Sequence, residues 1–167
     1  MEVTFRTAAA EAALLALKKA AIPGMCIGAG TVLTVEQAKA AIAAGSEFVI
    51  SPGVNPEVVS YCVNHDVPVF PGIATPTDIQ AAMNLGVDTL KFFPAESNGG
   101  VSTLSALAAV FSMVTFMPTG GITAKNISDY LKVSDARWID QRGHACDGFA
   151  QSDWPSRLAI LSFAAPL

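Results

Sequence analysis

The sequence is poor in charged residues and lacks any long apolar run. Only 14% of its 167 residues are charged, and the formal net charge is −4. This acidic balance argues against a nucleic-acid-binding or anionic-membrane surface, because both partners attract basic proteins. No apolar run approaches the roughly 18–20 residues of a membrane span. Met1 is followed at once by Glu2, without the basic segment of a secretory leader, so we expect a cytoplasmic protein.

Cysteine and histidine are also scarce. The three cysteines, Cys26, Cys62 and Cys146, are odd in number and have no paired spacing, which indicates reduced thiols rather than a disulfide framework. His144 and Cys146 resemble half of a metal site, but the sequence offers no second pair with ligand spacing. We therefore expect no metal.

What the chain does contain is a repeated unit of strand, turn and helix. Its 167 residues, of which 51% are hydrophobic, are enough for one domain with a substantial core. Strands that alternate with helices at short spacing predict right-handed βαβ units and a parallel sheet. Each predicted strand ends at a turn rich in glycine or proline, near Gly30, Pro52, Pro71, Pro94 and Thr119.

For such a sheet, a (β/α) barrel is a stronger prediction than a dinucleotide-binding fold. Gly28-Ala29-Gly30 lacks the third glycine of a dinucleotide-binding turn. The candidate functional residues all fall at the C-terminal ends of strands, where barrel enzymes keep their active sites. We therefore expect an α/β fold of the (β/α)8 barrel type, in which six of the eight strands, the second to the seventh, are recognisable.

Four of the predicted helices carry start signals in the sequence. Side-chain oxygens of serine, threonine, asparagine and aspartate cap the first N–H groups of a helix, and proline fits its first turn. A short final helix is predicted over residues 125–131. The predicted starts are Thr7, Thr34 with Gln37 as a capping box, Asn55 with Pro56, and Thr77 with Asp78.

One lysine lies inside a predicted buried strand. Residues 87–93 form a short apolar run bounded by Gly86 and Pro94, and this run contains Lys91. Burial lowers the pKa of a lysine, and the neutral amine can then attack a carbonyl to form a Schiff base. The alternative is a lysine at the end of a strand whose ammonium reaches solvent.

The first predicted strand, residues 2–6, alternates between polar and apolar residues. Glu2, Thr4 and Arg6 share one face, because successive side chains of a strand point to opposite faces. An acid and a base on one face of a buried strand indicate a polar site. The alternative is an edge strand that faces water.

Six motifs together make the sequence resemble the class I 2-keto-3-deoxy-6-phosphogluconate (KDPG) and 4-hydroxy-2-oxoglutarate (KHG) aldolases. They occur in the family's order and approximate spacing, and the resemblance covers roughly residues 2–135. The motifs are Glu-Val-Thr-Phe-Arg-Thr at 2–7, Gly-Ala-Gly-Thr-Val-Leu at 28–33, Ile-Ser-Pro-Gly at 50–53, Pro-Gly-Ile at 71–73, Lys-Phe-Phe-Pro-Ala-Glu at 91–96 and Pro-Thr-Gly-Gly-Ile at 118–122.

The resemblance implies a homotrimeric barrel enzyme that needs neither metal nor cofactor. It releases pyruvate together with glyceraldehyde 3-phosphate from KDPG, or with glyoxylate from KHG. By resemblance Lys91 is the Schiff-base lysine and Glu2 is the general acid/base. The implied substrate-binding residues are Arg6 and Thr31 for the pyruvate carboxylate, Pro52 and Phe93 for the wall of the pyruvyl pocket, and Gly120 and Gly121 for the phosphate. A plain tight turn is the alternative for Gly120 and Gly121, although glycine N–H groups before a helix also suit an anion.

Two other functions remain open. An inactive remnant would bind 2-oxo acids or associate with full-length subunits. A phosphosugar isomerase-like barrel is weaker, because such an enzyme needs a base on the substrate's carbon atoms and not a buried strand lysine.

Both ends of the chain depart from the family pattern. The family has a helix and the first barrel strand before the Glu-Val-Thr strand, whereas Met1 directly precedes Glu2 here. Residues 1–135 are assigned to the barrel domain and residues 136–167 to a divergent tail, which we interpret as frameshifted; the alternative is a naturally divergent C-terminus. The tail is predicted to lack the eighth strand and its phosphate-binding Gly-Gly-Ser turn, and to form a helix from Trp154 to Phe163. This loss would expose the strands that carry Glu2 and Gly120 as edges and would favour KHG over KDPG.

Overall fold

A computed structural model describes residues 1–133 and the backbone of residues 162 and 163. The proposed frameshift, the pair His144 and Cys146, and the loop over residues 136–154 lie outside these residues. Within the described part of the chain, no helix is long and apolar enough to cross a membrane.

Strands and helices alternate along the chain. The strands are β1 (Glu2–Thr4), β2 (Gly28–Gly30), β3 (Val49–Ser51), β4 (Val69–Ile73), β5 (Thr89–Phe92), β6 (Thr115–Pro118) and β7 (Ser162–Phe163). The helices are α1 (Ala10–Ala20), α2 (Val35–Ala43), α3 (Pro56–Asn64), α4 (Pro76–Asn84), α5 (Gly100–Val110) and α6 (Ile127–Tyr130), with a 3₁₀ turn at Glu96–Asn98 before α5.

The strands form one parallel sheet in the order β6-β5-β4-β3-β2-β1-β7. From β1 to β6 each strand pairs with the next strand of the chain, so the order never reverses as it does in a dinucleotide-binding fold. A sheet wound in one direction in this way is the wall of a (β/α) barrel. The prediction of a (β/α) barrel-type fold is confirmed, and the seven strands of the described residues are compatible with an incomplete barrel.

The two faces of the sheet carry two different clusters of buried side chains. The larger cluster lies under the helices and includes Val49, Leu90 and Phe116. The smaller cluster consists of Phe48, Ile50, Phe70 and Met117, with Cys26 packed against it. Ile50 and Met117 directly follow Val49 and Phe116, and alternation along a strand places such neighbours on opposite faces. The smaller cluster therefore lies on the inner face of the sheet, away from the helices.

Two of the predicted helix starts, those of α2 and α3, are confirmed. Thr34 caps α2 in a capping box with Gln37, and Asn55 caps α3 with Pro56 in the first turn. The prediction for α4 is wrong by two residues. Thr75 is the N-cap, in a capping box with Asp78, because Pro76 occupies the first helical position that proline favours.

The start of α1 was also predicted wrongly. The N-cap is Ala9, which has no capping side chain, and Thr7 instead accepts a hydrogen bond from the Ala10 amide at its main-chain oxygen. The chain turns after Phe5 before it enters the helix, so Thr7 is two residues too early to cap it.

Strand β4 continues through the Pro71-Gly72 pair that was predicted to end it. Gly72 pairs with Lys91 of β5, and β4 ends at Ile73. A Cβ atom on Gly72 would lie 2.1 Å from the carbonyl oxygen of Pro52. Glycine at this residue therefore allows the backbone after β3 to pack closely against β4, and it does not form a turn.

The edge next to β1 is covered. Ser162 and Phe163 form β7, which pairs in parallel with Glu2 and Val3. The predicted helical end at Ser162 and Phe163 and the predicted exposure of the Glu2 strand as an edge are therefore wrong, while residues 154–161 of that predicted helix lie outside the described residues. The three residues of β1 are buried, so the alternative of a water-facing strand is wrong too.

Candidate active site

Lys91 lies in the middle of the sheet on its inner face. Its neighbours Leu90 and Phe92 pack under the helices, so alternation turns the lysine side chain to the opposite face. Only 7% of its surface is exposed, which contradicts the alternative of a lysine that reaches solvent. Its side-chain nitrogen is 4.6 Å from the centre of the ring of Phe93, the residue that follows this strand.

Burial shifts the protonation equilibrium of this lysine towards the neutral amine. Loss of hydration lowers the pKa of Lys91, and the positive charge of Arg6 lowers it further, while the carboxylate of Glu2 raises it. The net shift is downward because burial has the largest effect. A lysine with a lowered pKa holds more of its amine in the neutral form that attacks carbonyl groups.

Glu2 is buried to the same extent as Lys91, with 7% of its surface exposed. Burial raises the pKa of Glu2, and the charges of Lys91, the N-terminal amine and Arg6 oppose the shift. Its carboxyl group lies directly over Gly30 of β2, since a Cβ atom there would be 1.5 Å from Glu2 Oε1. The absence of a side chain at residue 30 therefore creates the space that the carboxyl group occupies.

Arg6 does not share a strand with Glu2, contrary to the sequence prediction. Strand β1 ends at Thr4, and the Arg6 amide donates a hydrogen bond to the Thr4 carbonyl oxygen at 3.0 Å in the turn that follows. The strand ends there because the Phe5 amide, at 2.7 Å, makes the final bond to Gly30. The Arg6 side chain is exposed, yet its charge still acts on both Glu2 and Lys91.

Three further predicted residues, all half-buried, follow the C-terminal ends of strands. Thr31 follows β2 and has a left-handed φ of 58°, a strained conformation for threonine that often marks functional sites. Pro52 follows β3 and touches Gly72, the partner of Lys91 in β4. Phe93 follows β5 and lies beside Lys91. The fold thus places them at the barrel edge where enzymes of this architecture bind substrate.

Gly120 and Gly121 form a loop after β6 that turns its carbonyl groups towards the protein. Their φ values of 97° and 81° both favour glycine. The Gly120 oxygen accepts a hydrogen bond from the Glu96 amide at 3.1 Å, and the Gly121 oxygen accepts one from Asn126 Nδ2 at 3.3 Å. Neither glycine N–H group has a hydrogen-bond acceptor among residues 1–133.

Sequence reasoning missed Thr119, which precedes these glycines. Its side chain is 4% exposed, and its hydroxyl oxygen has no hydrogen-bond partner within the described part of the chain. Alternation from Met117 places it on the inner face with Lys91. A buried hydroxyl without a partner is costly, which is typical of a group that meets a ligand. The same alternation, applied to residues 114–119 of the sequence, could have identified it.

The described residues contain no cluster of three His, Cys, Asp or Glu side chains that could hold a metal ion. Cys26 and Cys62 are free thiols, and burial raises the pKa of each to about 11. Neither is therefore activated as a nucleophile.

A parallel barrel wall with a buried lysine and a buried carboxylate on its inner face is an arrangement suited to Schiff-base chemistry. The family model described as KDPG and KHG aldolase matches residues 1–140. The chain belongs to this aldolase family.

Individual relatives agree with this assignment. The 2-dehydro-3-deoxy-phosphogluconate aldolase of Treponema pallidum is 51% identical over 131 residues, which cover 78% of this chain and 62% of the relative. The KHG/KDPG aldolase of Escherichia coli strain K12 is 44% identical over 139 residues, which cover 83% of this chain and 65% of the relative. The chain therefore spans less than two thirds of the length of these two relatives.

A solved structure shares the fold. The KDPG aldolase of Legionella pneumophila, crystallised with pyruvate captured at low pH as a covalent carbinolamine intermediate, is similar with a TM-score of 0.79 and 39% identity. The similarity covers 83% of this chain and 67% of the Legionella chain.

Proposed function

We propose that this chain is a class I aldolase that cleaves KDPG to pyruvate and glyceraldehyde 3-phosphate, and KHG to pyruvate and glyoxylate. The observation that carries the proposal is the buried Lys91, whose pKa is lowered on the inner face of the barrel where Glu2 is also buried. A neutral lysine amine is the nucleophile that the reaction requires.

The reaction begins when the Lys91 amine attacks the C2 carbonyl of the substrate. The carbinolamine loses water to give a protonated imine, and the bond between C3 and C4 then breaks. The electron pair moves to C3 and into the imine, while Glu2 takes the proton from the C4 hydroxyl group so that C4 leaves as an aldehyde. Protonation of C3 and hydrolysis of the imine release pyruvate and regenerate the amine. Burial raises the pKa of Glu2, and a carboxyl group with a raised pKa is better suited both to accept and to return protons.

The residues at the barrel edge supply binding. The guanidinium group of Arg6 can fork onto the substrate carboxylate in two hydrogen bonds, with Thr31 beside it at the end of β2. The half-buried rings of Pro52 and Phe93 form the apolar wall of the pyruvyl pocket. The N–H groups of Gly120 and Gly121, whose carbonyl groups already have partners, receive the phosphate of KDPG.

The decisive experiment is borohydride trapping. The protein is incubated with pyruvate, reduced, and mapped by peptide mass spectrometry. We expect a reduced pyruvyl adduct on Lys91, none in Lys91→Met, and a normal adduct in the matched control Lys39→Met, which changes an exposed lysine on α2. A folded, soluble wild-type protein without an adduct, or a Lys91→Met variant that still cleaves substrate, would overturn the proposal.

We further propose a homotrimer located in the cytoplasm, as in the family. Val110, the last residue of α5, and Met113, in the turn that follows, are 70% and 60% exposed, and subunit contacts commonly cover apolar surface of this kind. Light scattering of the purified protein tests the trimer, and a strictly monomeric active protein would contradict it.

A further inference from the structure

A hydrogen bond joins the helix after the glycine loop to the turn after the lysine strand. Tyr130 ends α6 and is fully buried in the core under the helices. Its hydroxyl group donates to Glu96 Oε1, in the 3₁₀ turn that follows β5. Tyr130 belongs to the larger cluster under the helices, whereas the Lys91 side chain lies on the inner face of the sheet. The hydrogen bond of Tyr130 is therefore on the opposite side of the sheet from the Lys91 amine.

Glu96 in turn supports the loop of Gly120 and Gly121. Its amide donates to the Gly120 oxygen at 3.1 Å, next to a second bond of 2.8 Å from the Ala95 amide to Thr119. A Cβ atom on Gly121 would lie 2.7 Å from both Cβ and Cγ of Glu96, so the Glu96 stem packs flat against the loop. The backbone and the side chain of Glu96 therefore fix the position of the two glycines.

Tyr130 fixes the position of Glu96. A Cβ atom on Gly100, the first residue of α5, would lie 3.2 Å from Glu96 Oε1 and 3.3 Å from the Tyr130 hydroxyl oxygen. Glycine at this residue lets the carboxylate and the phenol meet directly over the start of the helix. Without the phenol hydroxyl group, the carboxylate of Glu96, a residue otherwise exposed, would be free to leave the loop for water.

We propose that the bond between Tyr130 and Glu96 positions the Gly120–Gly121 loop for the substrate's phosphate and so raises the selectivity of the chain for KDPG relative to KHG. This inference rests on the proposed function, since it concerns the phosphate site of the same reaction. The substrate KHG carries no phosphate, so its cleavage at Lys91 does not depend on where these N–H groups point. Tyr130 and Glu96 are positioning residues and touch neither the substrate nor the reacting atoms.

The two tyrosines of the chain allow a matched test. Tyr130→Phe keeps the buried ring and removes only the hydroxyl group, while Tyr61→Phe makes the same change on α3, where the ring stacks on His65. Glu96→Gln keeps an oxygen that can accept the phenol's hydrogen bond, and Glu96→Ala removes it. For each variant, kcat and KM are measured with both substrates, together with borohydride trapping of pyruvate.

The expected signature is a change in selectivity. In Tyr130→Phe and Glu96→Ala, kcat/KM for KDPG falls about tenfold, mainly through KM, because one positioning hydrogen bond is lost. The value for KHG and the yield of trapped pyruvate stay within about twofold of wild type, and Tyr61→Phe and Glu96→Gln keep the wild-type ratio of the two substrates.

The outcomes separate this inference from the proposed function. If the wild-type protein traps no pyruvate, the proposed function fails, and the inference fails with it. If the wild-type protein traps pyruvate and cleaves both substrates, but Tyr130→Phe and Glu96→Ala lower both kcat/KM values equally or change neither, the inference alone is overturned and the bond is structural. A loss of folding in Tyr130→Phe leaves Glu96→Ala, a change at an exposed residue, to decide between the two.

Discussion

Replacing Gly30 by alanine should disable the chain through Glu2 rather than through the fold. The backbone of residue 30 has no left-handed φ, so alanine can adopt its conformation. The added Cβ would lie 1.5 Å from Glu2 Oε1 and 2.2 Å from its carboxyl carbon. Non-bonded atoms need about 3.5 Å, so the carboxyl group must move by about 2 Å.

The size of the effect follows from this displacement. A misplacement of about 1 Å can cost about 100-fold in rate, so we expect kcat for cleavage to fall by at least about 100-fold in Gly30→Ala. The matched control is Gly53→Ala, in the turn that follows β3, because nothing lies within 4 Å of a Cβ atom there. Steady-state cleavage is assayed by coupling pyruvate release to lactate dehydrogenase, and thermal unfolding monitors the fold.

A double variant tests whether the loss acts through Glu2. In a Glu2→Ala background no carboxyl group meets the new methyl group, so adding Gly30→Ala should have little further effect. Two losses that simply add would refute the reasoning, and so would a Gly30→Ala protein as active as Gly53→Ala.

Two further predictions concern the lysine and the hydroxyl group beside the glycine loop. The Glu2 carboxylate raises the pKa of Lys91 and the Arg6 charge lowers it, so Glu2→Gln should shift the acidic limb of pyruvate imine formation to lower pH and Arg6→Met should shift it to higher pH. The rate of imine formation is measured by borohydride trapping at fixed times over a pH series. Shifts of the limb in the same direction for both variants would be contrary evidence. Thr119→Val removes a buried hydroxyl group that has no protein partner within residues 1–133. The midpoint of thermal unfolding should therefore stay unchanged or rise, while kcat/KM for KDPG falls about tenfold. A lowered midpoint of thermal unfolding would mean that the hydroxyl group serves the fold.

Local signals in the sequence predict the outline of this fold well and its boundaries less well. The repeat of strand and helix predicts the parallel barrel wall, and Asn55 predicts the start of α3, because both depend on nearby residues. The error at α4 shows the limit of such signals, since Thr75 and Thr77 both stand near Pro76 and only the first has the capping geometry. Pro71 and Gly72 read as a turn, but their neighbour in space is Pro52, which a local pattern cannot show.

The candidate site divides in the same way. Lys91 can be found from the sequence because a charged residue interrupts an apolar run, and Glu2 because it alternates with apolar residues. Arg6 does not share a strand face with Glu2 because β1 already ends at Thr4, and the sequence pattern does not show that end. The bond between Tyr130 and Glu96 joins residues that are 34 positions apart. Such contacts arise only when the loops after β5 and β6 pack together, so no spacing in the sequence indicates them.

The pairing of β1 with β7 has a consequence for the order of synthesis. On one side, Glu2 pairs with Gly28, which leaves the ribosome soon after it; on the other side it pairs with Ser162. During translation, the backbone N–H and C=O groups on one side of β1, the strand that carries Glu2, therefore remain unpaired until Ser162 and Phe163 have been synthesised. Uncovered strand edges recruit other chains, so the nascent barrel is open to misassembly at the strand on which its chemistry would later depend.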